Sequence, residues 1–150
     1  MSLKLYFSPG ACSFVPHSLL QLTGASFEPI MVKLHKGEQN GDEYKAINPR
    51  GQVPVLIDNG QVITQILAII LYLDQKFPAC QFLPSEPVAR AKAIETLAWM
   101  NNTIHPTFTH IFMPHKFSDQ ADVQANLKVF NTQIYKGLLS ELDTLVQSAT

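Results

Sequence analysis

The chain has 150 residues, 46% of them hydrophobic and 15% charged, with 11 basic and 12 acidic side chains and a formal net charge of -1. This is a globular composition, long enough for one good core or two small ones. The balanced charge leaves no basic surplus to neutralise phosphates, so nucleic acid is excluded as an expected partner; no apolar run reaches the roughly 18 residues of a membrane span. The N-terminus is a short alternating run that contains Lys4 and breaks at Pro9-Gly10, unlike a secretory leader. Without a leader or a dense cysteine pattern, Cys12 and Cys80 read as reduced thiols in a cytoplasmic protein.

Residues 3–8 predict a strand, with Leu3, Leu5 and Phe7 on one face. A helix follows over residues 13–23, with Ser13 as its N-cap, Pro16 tolerated in the first turn and Gly24 as its stop. Residues 27–34 alternate weakly and predict a second strand; 35–42 read as a polar loop and 43–47 as a short helical turn before Asn48-Pro49-Arg50-Gly51. Two short apolar runs, 53–58 and 61–64, flank Asn59-Gly60, the strongest short hairpin signal. Residues 65–77 turn helical and stop at Pro78.

Pro78, Pro84 and Pro87 mark residues 79–87 as a linker. Beyond it the pattern predicts one long helix over 88–112 and a second starting near Asp119 or Asp122. Val123, Leu127, Phe130, Ile134, Leu138, Leu142 and Leu145 place an apolar stripe on that second helix. The expected architecture is therefore α/β plus all-α: an N-terminal domain over 1–78, a linker over 79–87 and a helical C-terminal domain over 88–150.

Cys12 follows a strand and a Pro-Gly turn and stands at a predicted helix start. Unpaired amides and the positive end of the helix dipole would stabilise a thiolate there and lower its pKa; a small buried residue is the alternative. Cys80, in the linker, has no helix start behind it and reads as structural. Val53-Pro54 precedes a strand. If cis, it would turn the Val53 N–H and C=O outward, free to pair with an extended peptide; if trans, it is an ordinary strand-start proline. Gln65 and Ile66 open a helix whose first amides suit a carboxylate, or simply form a helix start. The histidines have no metal-ligand spacing, so no metal is expected. His105 falls in the first long helix, and His17 reads as structural.

Taken together, Lys4-Leu-Tyr-Phe-Ser-Pro-Gly-Ala-Cys12-Ser13, Pro16-His17, Ala46-Ile-Asn48-Pro49-Arg-Gly51-Gln-Val53-Pro54-Val-Leu, Val62-Ile-Thr64-Gln65, Trp99 and His105-x-x-Phe108 resemble the bacterial beta-class glutathione transferases. The resemblance covers nearly the whole chain. It implies a thioredoxin-like βαβ-ββα N-terminal domain that binds glutathione and a helical C-terminal domain that shapes an electrophile pocket. It also implies a role for each site residue. Cys12 meets the glutathione sulfur, Val53 before a cis Pro54 pairs with the cysteinyl backbone, Gln65 and Ile66 meet the γ-glutamyl end, and His105 approaches from the second domain. The implied protein is a cytoplasmic homodimer in detoxification. Its partners are glutathione, as co-substrate rather than permanent cofactor, and a small hydrophobic electrophile or disulfide.

Three departures stand out. Position 66, usually Ser or Gly in this fold, is Ile66; losing a hydroxyl donor to a charged group costs about 1.5–3 kcal/mol. Pro106 stands where Lys is common, removing a charge and predicting a kink. Family members are longer, so the helical domain is expected to be incomplete at Thr150. The expected function is a glutathione-dependent transferase, conjugating glutathione to electrophiles or exchanging thiols and disulfides through Cys12. The alternative is a non-catalytic ligand-binding or regulatory relative.

Overall fold

The computed structural model describes residues 2–148. Thr150, where the helical part is expected to break off, lies outside the described residues. Two compact units emerge, Met1–Ala93 and Ile94–Thr150.

In the first unit the predicted elements form in order: β1 (Leu3–Phe7), α1 (Phe14–Thr23), β2 (Glu28–Met31), α2 (Asp42–Ile47), β3 (Val55–Asp58), β4 (Gln61–Thr64) and α3 (Ile66–Lys76). The sheet order is β2-β1-β3-β4. β1 runs parallel to β2 and antiparallel to β3, and β3 and β4 form the hairpin. This is the thioredoxin-like βαβ-ββα arrangement. Asn59 and Gly60 both take positive φ, 47° and 85°, as a two-residue type I′ turn requires. β2 is shorter than the predicted strand, because the chain leaves the sheet after Met31 and coils into two 3-10 turns, Leu34–Lys36 and Glu38–Asn40. Pro29 sits in this outer strand, where a missing amide disturbs no inner ladder.

Alternation along the strands sorts the core. Leu3, Leu5 and Leu56 pack with Leu20 of α1 and with Ile69 and Leu73 of α3. On the opposite face Val55 packs with Val32, Val53 and Tyr44, and Tyr6, Ile47 and Ile57 close around them. The sheet is thus covered by α1 and α3 on one side and by α2 on the other.

Two buried carboxylates fasten α3. Asp58 is 4% exposed and accepts from the Tyr72 hydroxyl, from Lys76 Nζ at 2.5 Å and from Asn59 Nδ2 at 2.9 Å. The Lys76 and Tyr72 hydrogen bonds hold its carboxyl below the usual aspartate range. Asp74 accepts the Leu83 amide at 3.0 Å and pairs with Arg90 at 2.8 Å. Segment 79–87 is therefore tied to α3, with Leu83 buried. Glu86 then receives the Val88 and Ala89 amides at 2.9 and 2.7 Å and caps α4 (Pro87–Trp99).

The helix predicted over 88–112 is interrupted. α4 gives way to a π turn, Met100–Ile104, and then to α5 (His105–Phe112). Pro106 has no amide, and its ring would crowd the Asn102 carbonyl in a regular α-helix. The widened turn, in which the His105 amide reaches Met100 O, relieves that conflict. In the second unit α5 packs on α6 (Ala121–Ser148), with Phe108 and Tyr135 ring centroids 5.5 Å apart. Val123, Leu127, Leu138 and Leu142 of the predicted stripe are half-buried. Phe130, Ile134 and Leu145 are exposed, whereas Asn131 is buried and bonds back to Leu127 O at 2.8 Å. Among the described residues no helix is long and apolar enough to cross a membrane.

Two outcomes follow from this packing. Leu73→Ala, at a fully buried position, is expected to lower unfolding stability by about 2–5 kcal/mol in urea titrations. Because the folded pKa of Asp58 lies below its unfolded value of about 3.9, its stabilisation is complete above that value and is lost as pH falls through the folded pKa. Asp58→Asn should be less stable at neutral pH and show a flatter loss of stability between neutral pH and the acid limb.

Candidate active site

The β1–β3 register sets Tyr6 opposite Val55, and the β3–β4 register sets Val55 opposite Thr64. The loop after β1, the residues before β3 and the start of α3 therefore meet at one end of the sheet. This brings together Cys12, Val53, Pro54, Gln65 and Ile66. His105 belongs to the second unit, at the junction of the π turn and α5, and its side chain is exposed.

The Cys12 loop is closed by Ser13. The sequence pattern suggests Ser13 as an N-cap, but it takes helical backbone angles and makes no cap bond. Its buried hydroxyl instead accepts the Ser8 amide at 3.0 Å and donates to the Ser8 carbonyl at 3.1 Å. The end of β1 is thereby clamped to the start of α1, and the chain in between turns through Gly10 at φ 70°.

Cys12 is partly buried and is a free thiol, as is Cys80. Its Sγ donates to the Val53 carbonyl oxygen at 3.7 Å, so that carbonyl is engaged rather than free. The expectation of a lowered thiol pKa is overturned: burial pushes the Cys12 thiol up. The Cys12 and Ser13 amides act in the expected direction, but desolvation outweighs them. α1 begins only at Phe14, two residues beyond the thiol.

Val53 precedes a cis peptide bond to Pro54, and both residues are buried. Its approach is fixed by a tight turn. Asn48 Nδ2 and the Tyr44 hydroxyl each donate to the Gln52 carbonyl at 2.8 Å, and Asn48 Oδ1 accepts the Arg50 amide at 3.2 Å. Gly51 is required here: its φ is 61°, and a Cβ would lie 2.9 Å from the Gln39 carbonyl oxygen. Burial, with the neighbouring Tyr6 in second place, pushes the Tyr44 hydroxyl up to about 12, so it remains a donor across the working pH range. These two supports escape a motif reading. The Asn48-Pro49 turn is visible in sequence, but the convergence of Tyr44 and Asn48 on one oxygen is not.

Gln65 turns the chain from β4 into α3 in a single residue, at φ 70° and ψ 126°. A non-glycine residue held there stores roughly 1–3 kcal/mol of strain, which surrounding structure must offset. Its side chain is exposed and does not cap α3, so among the described residues the first amides of that helix lack a side-chain acceptor; Ile66 is half-buried. The site thus combines a protonated thiol, a backbone edge at Val53 and a helix start with open donors.

Residues 1–75 match the family model for the glutathione S-transferase N-terminal domain. The chain is similar to glutathione S-transferase GstA of Escherichia coli O157:H7, 37% identical over 137 residues that take in 86% of this chain and 68% of that protein. It is also similar to Protein LigF of Sphingobium sp., 38% identical over 130 residues, and spans 51% of its length. Among solved structures, a glutathione S-transferase from Xylella fastidiosa superposes with a TM-score of 0.86 at 30% identity, covering 97% of this chain and 70% of that one. A sphingomonad glutathione S-transferase complexed with glutathione gives 0.79 at 33% identity, covering 96% and 70%. With half of its length matched by the domain model, and with two thirds of GstA matched in turn, the chain belongs to the glutathione S-transferase family.

Proposed function

We propose that this chain carries the glutathione site of a transferase that conjugates the tripeptide to small hydrophobic electrophiles, with Cys12 beside the glutathione sulfur. The observation that carries the reading is the 3.7 Å approach of Cys12 Sγ to the Val53 carbonyl. It sets a thiol next to a backbone edge that can take an extended peptide by strand-like pairing. The cysteinyl backbone would lie along Val53 and the γ-glutamyl carboxylate would take the open amides at Gln65 and Ile66. A sphingomonad relative solved with glutathione supports the ligand class. His105 is assigned to the glutathione site by family likeness alone, and so are the homodimeric state, the cytoplasmic location and the detoxification role.

The raised Cys12 pKa bears on which reaction dominates. A protonated thiol is a donor, and a donor beside the glutathione sulfur stabilises its thiolate. That thiolate attacks the electrophilic carbon, forming the C–S bond as the leaving group departs with its electron pair. Thiol–disulfide exchange requires the Cys12 thiolate instead. It would attack the glutathione sulfur of a mixed disulfide, releasing the other thiolate, and a second glutathione thiolate would then free Cys12 as glutathione disulfide forms. Burial lowers the thiolate fraction of Cys12 at neutral pH, which weighs against this branch.

The non-catalytic reading draws on Ile66, which offers no hydroxyl to the γ-glutamyl end. It leads to weak glutathione retention and a Cys12 whose removal changes no rate.

The two branches separate by substitution. Cys12→Ser keeps a donor and should hold conjugation to an activated aryl halide within about threefold, whereas Cys12→Ala should lower it about tenfold or more. Both variants should lose disulfide exchange. Iodoacetamide labelling of Cys12 in the free protein should rise with pH about a midpoint above the ordinary thiol value of about 8.5. Failure of the wild-type chain to bind immobilised glutathione, together with full conjugation by Cys12→Ala, would sink the proposal.

A further inference from the structure

Gln52 places its carbonyl oxygen where two side chains converge. The Tyr44 hydroxyl and Asn48 Nδ2 both donate to it at 2.8 Å, and their residues are 7% and 2% exposed. Closing the turn does not require both donors. The Gly51 amide bonds Asn48 O at 2.9 Å, and this closes it already. The doubled contact fixes something else.

The peptide joining Gln52 to Val53 is trans, so the Gln52 C=O and the Val53 N–H lie in one plane and point in opposite directions. Anchoring the oxygen on Tyr44 and Asn48 therefore aims the Val53 amide away from α2. That amide has no hydrogen-bond partner among the described residues, although Val53 itself is buried. A backbone donor left open on a residue only 9% exposed is uncommon, and it marks a place where an acceptor is expected.

We propose that Tyr44 and Asn48 are positioning residues that aim the Val53 amide through the Gln52 carbonyl, and so set the affinity for an extended γ-glutamyl tripeptide without touching it. This rests on the reading of Val53 as the backbone partner of glutathione. Holding the peptide plane before the ligand arrives removes an ordering cost that binding would otherwise meet. Loss of one donor leaves the turn closed but lets the plane rock.

Tyr44→Phe is the clean test, because Asn48 also supports the Arg50 amide and its loss would disturb the whole turn. The full chain, labelled with 15N, is titrated with glutathione while the Val53 amide is followed. Tyr6→Phe serves as control, since the Tyr6 ring packs edge-on against Tyr44 at 5.8 Å but Tyr6 donates nothing to Gln52. The expected result is a displaced Val53 amide resonance in free Tyr44→Phe and a glutathione Kd raised about three- to tenfold. Conjugation kcat at saturating glutathione should stay within about twofold of wild type, and Tyr6→Phe should bind as wild type does. If glutathione perturbs the Val53 amide in wild type but Tyr44→Phe binds equally well, the positioning role is overturned while the site reading stands. The positioning role is overturned in the same way if Tyr6→Phe weakens binding as much as Tyr44→Phe. If glutathione leaves the wild-type Val53 amide unmoved, the site reading itself falls and takes this inference with it.

Discussion

The antiparallel pairing of β1 with β3 is the constraint on which the site depends. Tyr6 opposite Val55 places the end of one strand beside the beginning of the other, so the loop bearing Cys12 has to pass Val53. The hairpin partner of Val55 is Thr64, which delivers Gln65 and the start of α3 to the same end. Slipping this register by one residue would turn Leu56 towards α2 and Val55 towards α1 and α3, exchanging two apolar sets that fit different helices. The hydrophobic core therefore fixes the site geometry.

Around that frame the local chemistry is settled by competition between desolvation and polar support. At Cys12, burial and a carbonyl acceptor favour the protonated thiol over the thiolate that the Cys12 and Ser13 amides would stabilise. At Asp58 the outcome reverses, because Lys76 and Tyr72 supply donors that burial alone would not overcome. The contrast explains why a cysteine close to a helix start holds its proton here, as a donor to the Val53 carbonyl. It also underlies the proposal of conjugation, in which glutathione supplies the thiolate, ahead of exchange through Cys12.

The regular elements of the first unit were legible because their signals are local. Leu3, Leu5 and Phe7 alternate, Asn59-Gly60 fits one turn type, and Gly24 and Pro78 stop their helices. What stayed hidden needs three dimensions or a balance of energies. Ser13 looks like a cap but spends its hydroxyl on Ser8, five residues back. Pro106 announces a break, yet the π turn that precedes it depends on the carbonyl its ring would meet. The proline-rich stretch after α3 reads as a linker because the buried Asp74 that binds Leu83 and Arg90 lies outside it in sequence. The direction of the Cys12 pKa follows from burial, which position in the chain does not reveal.

If this end of the sheet holds glutathione along Val53 with its sulfur at Cys12, a crystal of the chain soaked with glutathione will show it. The expected structure has the cysteinyl backbone paired with Val53 and the sulfur within hydrogen-bonding reach of Cys12 Sγ. The γ-glutamyl carboxylate should rest on the amides at the start of α3. Glutathione bound elsewhere, or with its sulfur turned away from Cys12, would contradict this assignment.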